Sequence, residues 1–200
     1  MNNSLREIAL NINKKGDYKT DKAGGRGAME KYNHSSQCHE LAELYDYLFS
    51  SRRNEELDIL EVGICHGGGT KMLSEYFIKS KCYAVDITMS HLKTALPESI
   101  TTFCADAYTL EFVNHLKSLN LLFDILIDDG PHTEYSQRVF IKNYVSLLKP
   151  GGTIIIEDIA DISLARSLHD QLLPYVSFSF IVDRTSLTTQ PDEITLVGKI

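Results

Sequence analysis

The chain has 200 residues, 43% hydrophobic and 24% charged, enough to bury one ordinary α/β core without disulfide or metal staples. A formal net charge of −7 argues against a general nucleic-acid binder, because phosphate neutralisation needs clustered Lys and Arg. No apolar run approaches the ~20 residues that span a bilayer, so no membrane partner is expected. The N-terminus has no apolar leader segment, which makes a cytoplasmic location the expectation. The four cysteines (Cys38, Cys65, Cys82, Cys104) show no C-x-x-C spacing and read as free thiols.

Residues 1–56 differ in character from the rest. The stretch 14–33 is rich in Lys and Gly and reads as a loop, and 37–50 presents Leu41, Leu44, Tyr45, Leu48 and Phe49 at helical spacing. This segment is expected to form a cap over the face carrying the site, with residues 57–200 as the main domain. The short apolar run 57–63, ended by glycine, predicts a doubly buried parallel strand. A helix follows over 70–79, then a strand at 82–87 closing on an acid. A short helix at 89–95 leads past Pro97 to a strand at 101–106 and a helix over 107–118. The strand 122–130 precedes a helix over 133–148 with Tyr135, Val139, Phe140, Tyr144, Leu147 and Leu148 on one stripe. Lys149, Pro150, Gly151 and Gly152 end that helix. A strand at 152–158 and a helix at 161–172 complete five repeats. The tail, 177–183 and 193–199 with no helix between, predicts an antiparallel hairpin. The expected fold is therefore α/β: a doubly wound, Rossmann-like, mostly parallel seven-stranded sheet with a C-terminal antiparallel hairpin. Ligands are expected at the carboxyl ends of its strands.

The stretch from Glu61 to Gly69 follows the first strand and opens a helix. Gly63 and Gly67 let the backbone turn sharply and approach a ligand. Their spacing is G-x-x-x-G, and Cys65 stands where a dinucleotide loop places its second glycine, so G-x-G-x-x-G is not matched. The E/D-x-G-x-x-x-G loop that wraps S-adenosyl-L-methionine (SAM) does fit. Asp86 ends the second strand, where an acid accepts ribose hydroxyls of SAM or of NAD; capping the next helix is its alternative role. Asp106 ends the third strand, followed by Ala107 and Tyr108, at the position expected beside an adenine; it too reads equally as a cap.

Asp128, Asp129, Gly130, Pro131 and His132 end the fourth strand, and Glu157 and Asp158 end the fifth. Carboxylates gathered at one edge repel unless a cation lies among them, and a few hard oxygens suit Mg²⁺. The expectation is that Asp129, Glu157 and Asp158 bind the metal and His132 acts as general base. The alternative is that Asp128 or Asp129 caps the following helix while Glu157 pairs with a surface Lys.

The combination LEVGICHGGGT, AVDI, ILIDDGPHT, LKPGG and IIIEDI resembles the macrocin O-methyltransferase family within the class I SAM-dependent methyltransferases, over roughly residues 17–160. The resemblance implies a Mg²⁺- and SAM-dependent enzyme that methylates sugar hydroxyls. It implies metal ligands at Asp129, Glu157 and Asp158, a base at His132, and a cofactor shell to which Asp128 and Lys22 belong. Thr20, Asp21, Lys22 and His34 are similar to the family stretch lying over cofactor and acceptor. Pro131 departs from the family's usual serine.

The reading is an O-methyltransferase acting on a sugar or glycosylated small molecule, with N- or C-methylation, a non-catalytic SAM-binding module and a NAD-dependent oxidoreductase as rivals. His66 is a candidate for the SAM carboxylate, while His39 and His115 read as surface residues. Lys14, Lys15, Lys19, Lys22 and Arg26 read as a solvated loop or as contacts for an anionic acceptor. Apolar residues on the N-terminal helix suggest a homo-oligomer.

Overall fold

The computed structural model describes residues 3–15, 41–92, 94–186 and 192–200. Thr20, Asp21, Lys22, Arg26, His34, Cys38, His39 and most of the expected 14–33 loop lie outside them. The described elements are, in order, α1 (Leu5–Lys15), α2 (Leu41–Phe49), β1 (Asp58–Val62), α3 (Gly68–Tyr76), β2 (Lys81–Asp86), β3 (Ile100–Cys104), α4 (Leu110–Ser118), β4 (Phe123–Asp128), α5 (Glu134–Tyr144), β5 (Leu148–Ile159), α6 (Ile162–Leu172), β6 (Phe178–Asp183) and β7 (Ile194–Lys199).

The strands form one seven-stranded sheet in the order β3-β2-β1-β4-β5-β7-β6. Strands β1 to β5 pair in parallel, and β7 runs antiparallel between β5 and β6. This is the expected doubly wound architecture with its terminal hairpin. The central strands are apolar on both faces. Ile59, Ile125, Ile127 and Ile155 point into a core shared with α1, α2 and α3. Leu60, Leu126, Ile154 and Ile156 point the other way, into a core with Phe112, Phe140, Tyr144 and Leu168. Strand side chains alternate between faces, so one apolar run serves both layers. The chain reverses its strand order between β1 and β4, and that switch point opens a crevice at the carboxyl ends of both.

Three local expectations change. Helix α1 is an addition: Leu5, Ile8, Ala9 and Ile12 recur at helical spacing and are all buried. Its start is a reciprocal capping box, with Glu7 N donating to Ser4 Oγ at 3.2 Å and Ser4 N to Glu7 Oε2 at 2.8 Å. The helix expected at 89–95 is absent among its described residues. There Thr88 N donates to Asp86 Oδ1 and Ser90 N to Thr88 Oγ1, both at 3.1 Å, so side chains take donors that a helical ladder would use. Lys149, Pro150, Gly151 and Gly152 lie within β5 rather than before it, with Gly151 at φ +77° and a register shift opposite Phe123–Ile125.

The described helices of the 1–56 segment, α1 and α2, pack with α3 in the core on one face of the sheet. The apolar stripe of α2, which suggested self-association, is buried there: Leu41, Tyr45 and Phe49 are enclosed, and Tyr47 is the exposed aromatic. No helix among the described residues is long and apolar enough to cross a membrane.

Candidate active site

Two loops meet at the switch point. Gly63 N donates to Val85 O of β2, and Asp129 N donates to Val62 O, both at 2.8 Å; the second bond sets the turns after β1 and β4 side by side. Gly63 has φ +98°, and a Cβ there would stand 1.9 Å from the Asp129 carbonyl oxygen. Only glycine fits both the conformation and the space. Gly67 (φ +78°) caps α3 and closes the turn by donating to Ile64 O at 2.7 Å.

Asp86 holds this loop. Its Oδ2 accepts from Ile64 N at 2.8 Å and Cys65 N at 3.0 Å. Glu61 is buried behind the loop and accepts from Thr70 Oγ1 at 2.5 Å, tying β1 to the first turn of α3. Asp106 makes an Asx turn by accepting from Tyr108 N at 2.9 Å.

A cavity of about 490 Å³ lies over these turns. Its wall includes Gly63, Cys65, Asp86 and Ile87 on one side and Asp106, Ala107 and Tyr108 on another, with Asp129, Pro131 and Tyr135 closing it. Gly63, Asp86, Asp106, Ala107 and Asp129 of the expected residues thus line one space. Glu61, Gly67 and Asp128 shape it from behind without lining it. His66 is exposed and pairs with Cys65 Sγ at 3.1 Å, and it is His91 that reaches the wall. His115 packs on Phe103 and Phe112 at the surface. Tyr135, expected on the buried stripe of its helix, is 71% exposed at the cavity rim, and Gln137 and Ile141 are buried in its helix instead.

Beside the cavity, one ligand atom each from Asp129, His132 and Asp158 lies within 4.8 Å of the others. His132 Nε2 is 3.3 Å from Asp129 Oδ1 and 3.6 Å from Asp158 Oδ2. Oxygen ligands about 2.1 Å from a magnesium ion lie at most about 4.2 Å apart, so two carboxylates within 4.8 Å of one another suit a small hard cation, with His132 beside them. The third member differs from the expectation. Glu157 is buried and accepts a short hydrogen bond from Tyr45 of α2, outside this cluster. Strand β5 bulges between Ile156 and Ile159, and that irregularity sends Glu157 and Asp158 in different directions. Gln137 braces the bulge through Nε2, 3.1 Å from Glu157 O.

Left-handed backbone marks the same place. Among the described residues four non-glycine residues have positive φ, and three of them, Cys65 (+45°), His132 (+54°) and Asp158 (+51°), belong to the site's loops. Each such residue costs on the order of 1–3 kcal/mol and persists only where the surroundings enforce it.

Burial disfavours the charged form of His132, but the hydrogen bond and charge of Asp129, with the charges of Asp158 and Glu157, outweigh it and lift its pKa to about 9. The carboxylate field holds that proton, so positive charge placed among the carboxylates would release it. Asp128 behaves differently. Burial pushes its pKa up to about 7 despite the hydrogen bond from Tyr108.

Tyr45, Tyr108 and Gln137 are contributors that the motifs do not name. Tyr108 follows Asp106 and Ala107 directly, and Gln137 interrupts an apolar helical stripe; both are readable signals. Tyr45 carries none, since its partner is 112 residues away.

No protein-family model matches the chain. It is 33% identical over 123 residues to a demethylmacrocin O-methyltransferase of Streptomyces fradiae, covering 58% of this chain and 30% of that protein. It is 30% identical over 122 residues to a mycinamicin VI 2''-O-methyltransferase of Micromonospora griseorubida, covering 57% and 30%. The chain thus spans about a third of the length of the curated relatives it matches. Among solved structures it resembles the MycE methyltransferase from the mycinamycin biosynthetic pathway in complex with Mg and SAH, with TM-score 0.63, 26% identity, and coverage of 79% of this chain and 38% of that one. The chain has the class I methyltransferase fold, and more than half of it is similar in sequence to sugar O-methyltransferases.

Proposed function

We propose that this chain carries the active site of a Mg²⁺- and SAM-dependent O-methyltransferase whose acceptor is a hydroxyl of a sugar or glycosylated small molecule. The observation behind the reading is one juxtaposition: a cavity walled by Gly63, Asp86 and Asp106 borders the cluster of Asp129, His132 and Asp158. The names of matched relatives that are O-methyltransferases of rhamnosyl and olivosyl compounds support the acceptor class.

In this reading the glycine turn at Gly63 admits the methionine end of the donor, Asp86 accepts from the ribose, and Asp106 and Ala107 border the adenine. Glu61, Gly67 and Asp128 hold those walls in place. Asp129 and Asp158 would hold the cation, and Glu157, held by Tyr45 outside the cluster, adds its negative charge to the field around His132. A divalent cation, when bound, supplies the charge that orients and acidifies the acceptor hydroxyl. His132 Nε2 takes the hydroxyl proton as the oxygen attacks the methyl group. The sulfonium already activates that methyl, so the protein's main contribution is alignment and exclusion of water. We propose the cap role only for the part of segment 1–56 that holds Lys22, because α1 and α2 pack in the core on one face of the sheet. A cytoplasmic enzyme with a small-molecule acceptor and no nucleic-acid partner completes the reading.

Calorimetric titration with S-adenosylhomocysteine (SAH) and with NAD, followed by methyl transfer from labelled SAM to a panel of glycosides, tests it. Micromolar SAH binding, none of NAD, and transfer abolished by chelator and restored by Mg²⁺ are expected. Binding of NAD alone overturns the reading, and chelator-insensitive transfer removes the metal from it.

A further inference from the structure

Tyr108 faces two ways. Its ring lines the cavity, and its hydroxyl passes behind Gly130 to donate to Asp128 Oδ1 at 2.5 Å. A Cβ on Gly130 would stand 1.9 Å from that hydroxyl, so the pair occupies room that only glycine leaves. Asp128 is buried, and its Oδ2 has no hydrogen-bond partner among the described residues. The Tyr108 hydroxyl is therefore the side-chain donor that satisfies this carboxyl. The loop bearing Tyr108 is fastened a second time, by Tyr144 OH donating to Ala107 O at 2.6 Å. The next residue after Asp128 is Asp129, whose side chain belongs to the carboxylate–histidine cluster.

We propose that Tyr108 is a positioning residue that couples the two halves of the site. A nucleoside seated against its ring fixes the hydroxyl on Asp128, and that bond fixes the turn that aims Asp129 into the cluster. Nucleoside and divalent cation then bind with positive cooperativity, and the coupling is reciprocal. This rests on the methyltransferase reading above. Phenylalanine at position 108 keeps the ring but takes the side-chain donor from the buried Asp128 carboxyl, leaving it the Gly130 backbone N–H.

The test is calorimetry with SAH, without and with saturating Mn²⁺, on the whole chain and on Tyr108→Phe, Asp128→Asn and Asp128→Leu, each checked by circular dichroism. Wild type should bind SAH at least about fivefold more tightly with Mn²⁺. That ratio should collapse toward one in Tyr108→Phe and survive in Asp128→Asn, whose amide oxygen still accepts from Tyr108. Asp128→Leu, similar in reach but apolar, gives a second reading of the loss if Tyr108→Phe does not fold. A wild-type ratio of one, or an unchanged ratio in Tyr108→Phe or Asp128→Leu, overturns the coupling alone. Failure of the wild type to bind SAH, with or without Mn²⁺, overturns the methyltransferase reading and the coupling with it.

Discussion

Gly63 and Asp129 touch backbone to backbone, so closely that one added methyl group on Gly63 would lie 1.9 Å from the Asp129 carbonyl oxygen. One residue belongs to the glycine turn after β1 and the other to the carboxylate–histidine cluster, so the contact joins the two loops. Gly63→Ala adds that methyl at φ +98°, where a side chain is already strained. It should destabilise the fold by more than about 1 kcal/mol and weaken SAH and Mn²⁺ binding together. Thermal denaturation and calorimetry check this; a variant as stable as the parent would mean that the loops part easily.

His132→Ala removes the proposed proton acceptor while leaving the cavity wall intact, because His132 stands beside the cavity and not in its lining. Methyl transfer should fall by about 10²–10⁴-fold, with SAH affinity nearly unchanged. Single-turnover assays paired with SAH titration separate the two effects. Parallel loss of affinity would place His132 in donor binding instead.

Asp158→Asn keeps the size of the side chain and removes its charge from the cluster. Mn²⁺ affinity should drop by about tenfold or more, as expected when a carboxylate ligand to a hard cation becomes an amide. Titration followed by the electron paramagnetic resonance of free Mn²⁺ reads this directly. Unchanged affinity would remove Asp158 from the ligand set.

At the opposite end of the sheet, Lys149 Nζ lies 2.6 Å from Asp58 Oδ2 and 2.7 Å from Asp124 Oδ2. Burial raises the Asp124 pKa, but Lys149 and the Asp58 backbone N–H more than offset it and bring it below the ordinary 3.8. Burial lowers the Lys149 pKa, and its two carboxylate partners lift it above the ordinary 10.5. A depressed carboxylate contributes stability above 3.8 that is lost as pH falls through its folded value; a raised lysine contributes below 10.5 and loses it as pH climbs through its own. Lys149→Met should therefore cost stability at neutral pH and much less in acid, where Asp124 is protonated. Urea denaturation at both pH values measures the difference, and an equal loss in acid would assign Lys149's contribution to packing alone. Both groups are partly exposed, so the effect is modest.

The residue order alone determined the strand count, the parallel core, the terminal hairpin and five of the cavity's lining residues. It could do so because apolar runs ending in Gly, Asp or Glu are local signals, and a parallel sheet places consecutive strand ends on one edge. It equally carried helix α1, in the Ser4–Glu7 capping box and the spacing of Leu5, Ile8 and Ile12. What only tertiary structure decided lies in side-chain direction and long-range pairing. The β5 bulge turns Asp158 toward His132 while Glu157 meets Tyr45, which adjacency in sequence cannot separate. Asp128 and Asp129, neighbours in the chain, meet a half-buried tyrosine hydroxyl and the carboxylate–histidine cluster respectively. Strand geometry sends successive side chains to opposite sides, and what waits on each side is set by residues far away in the chain.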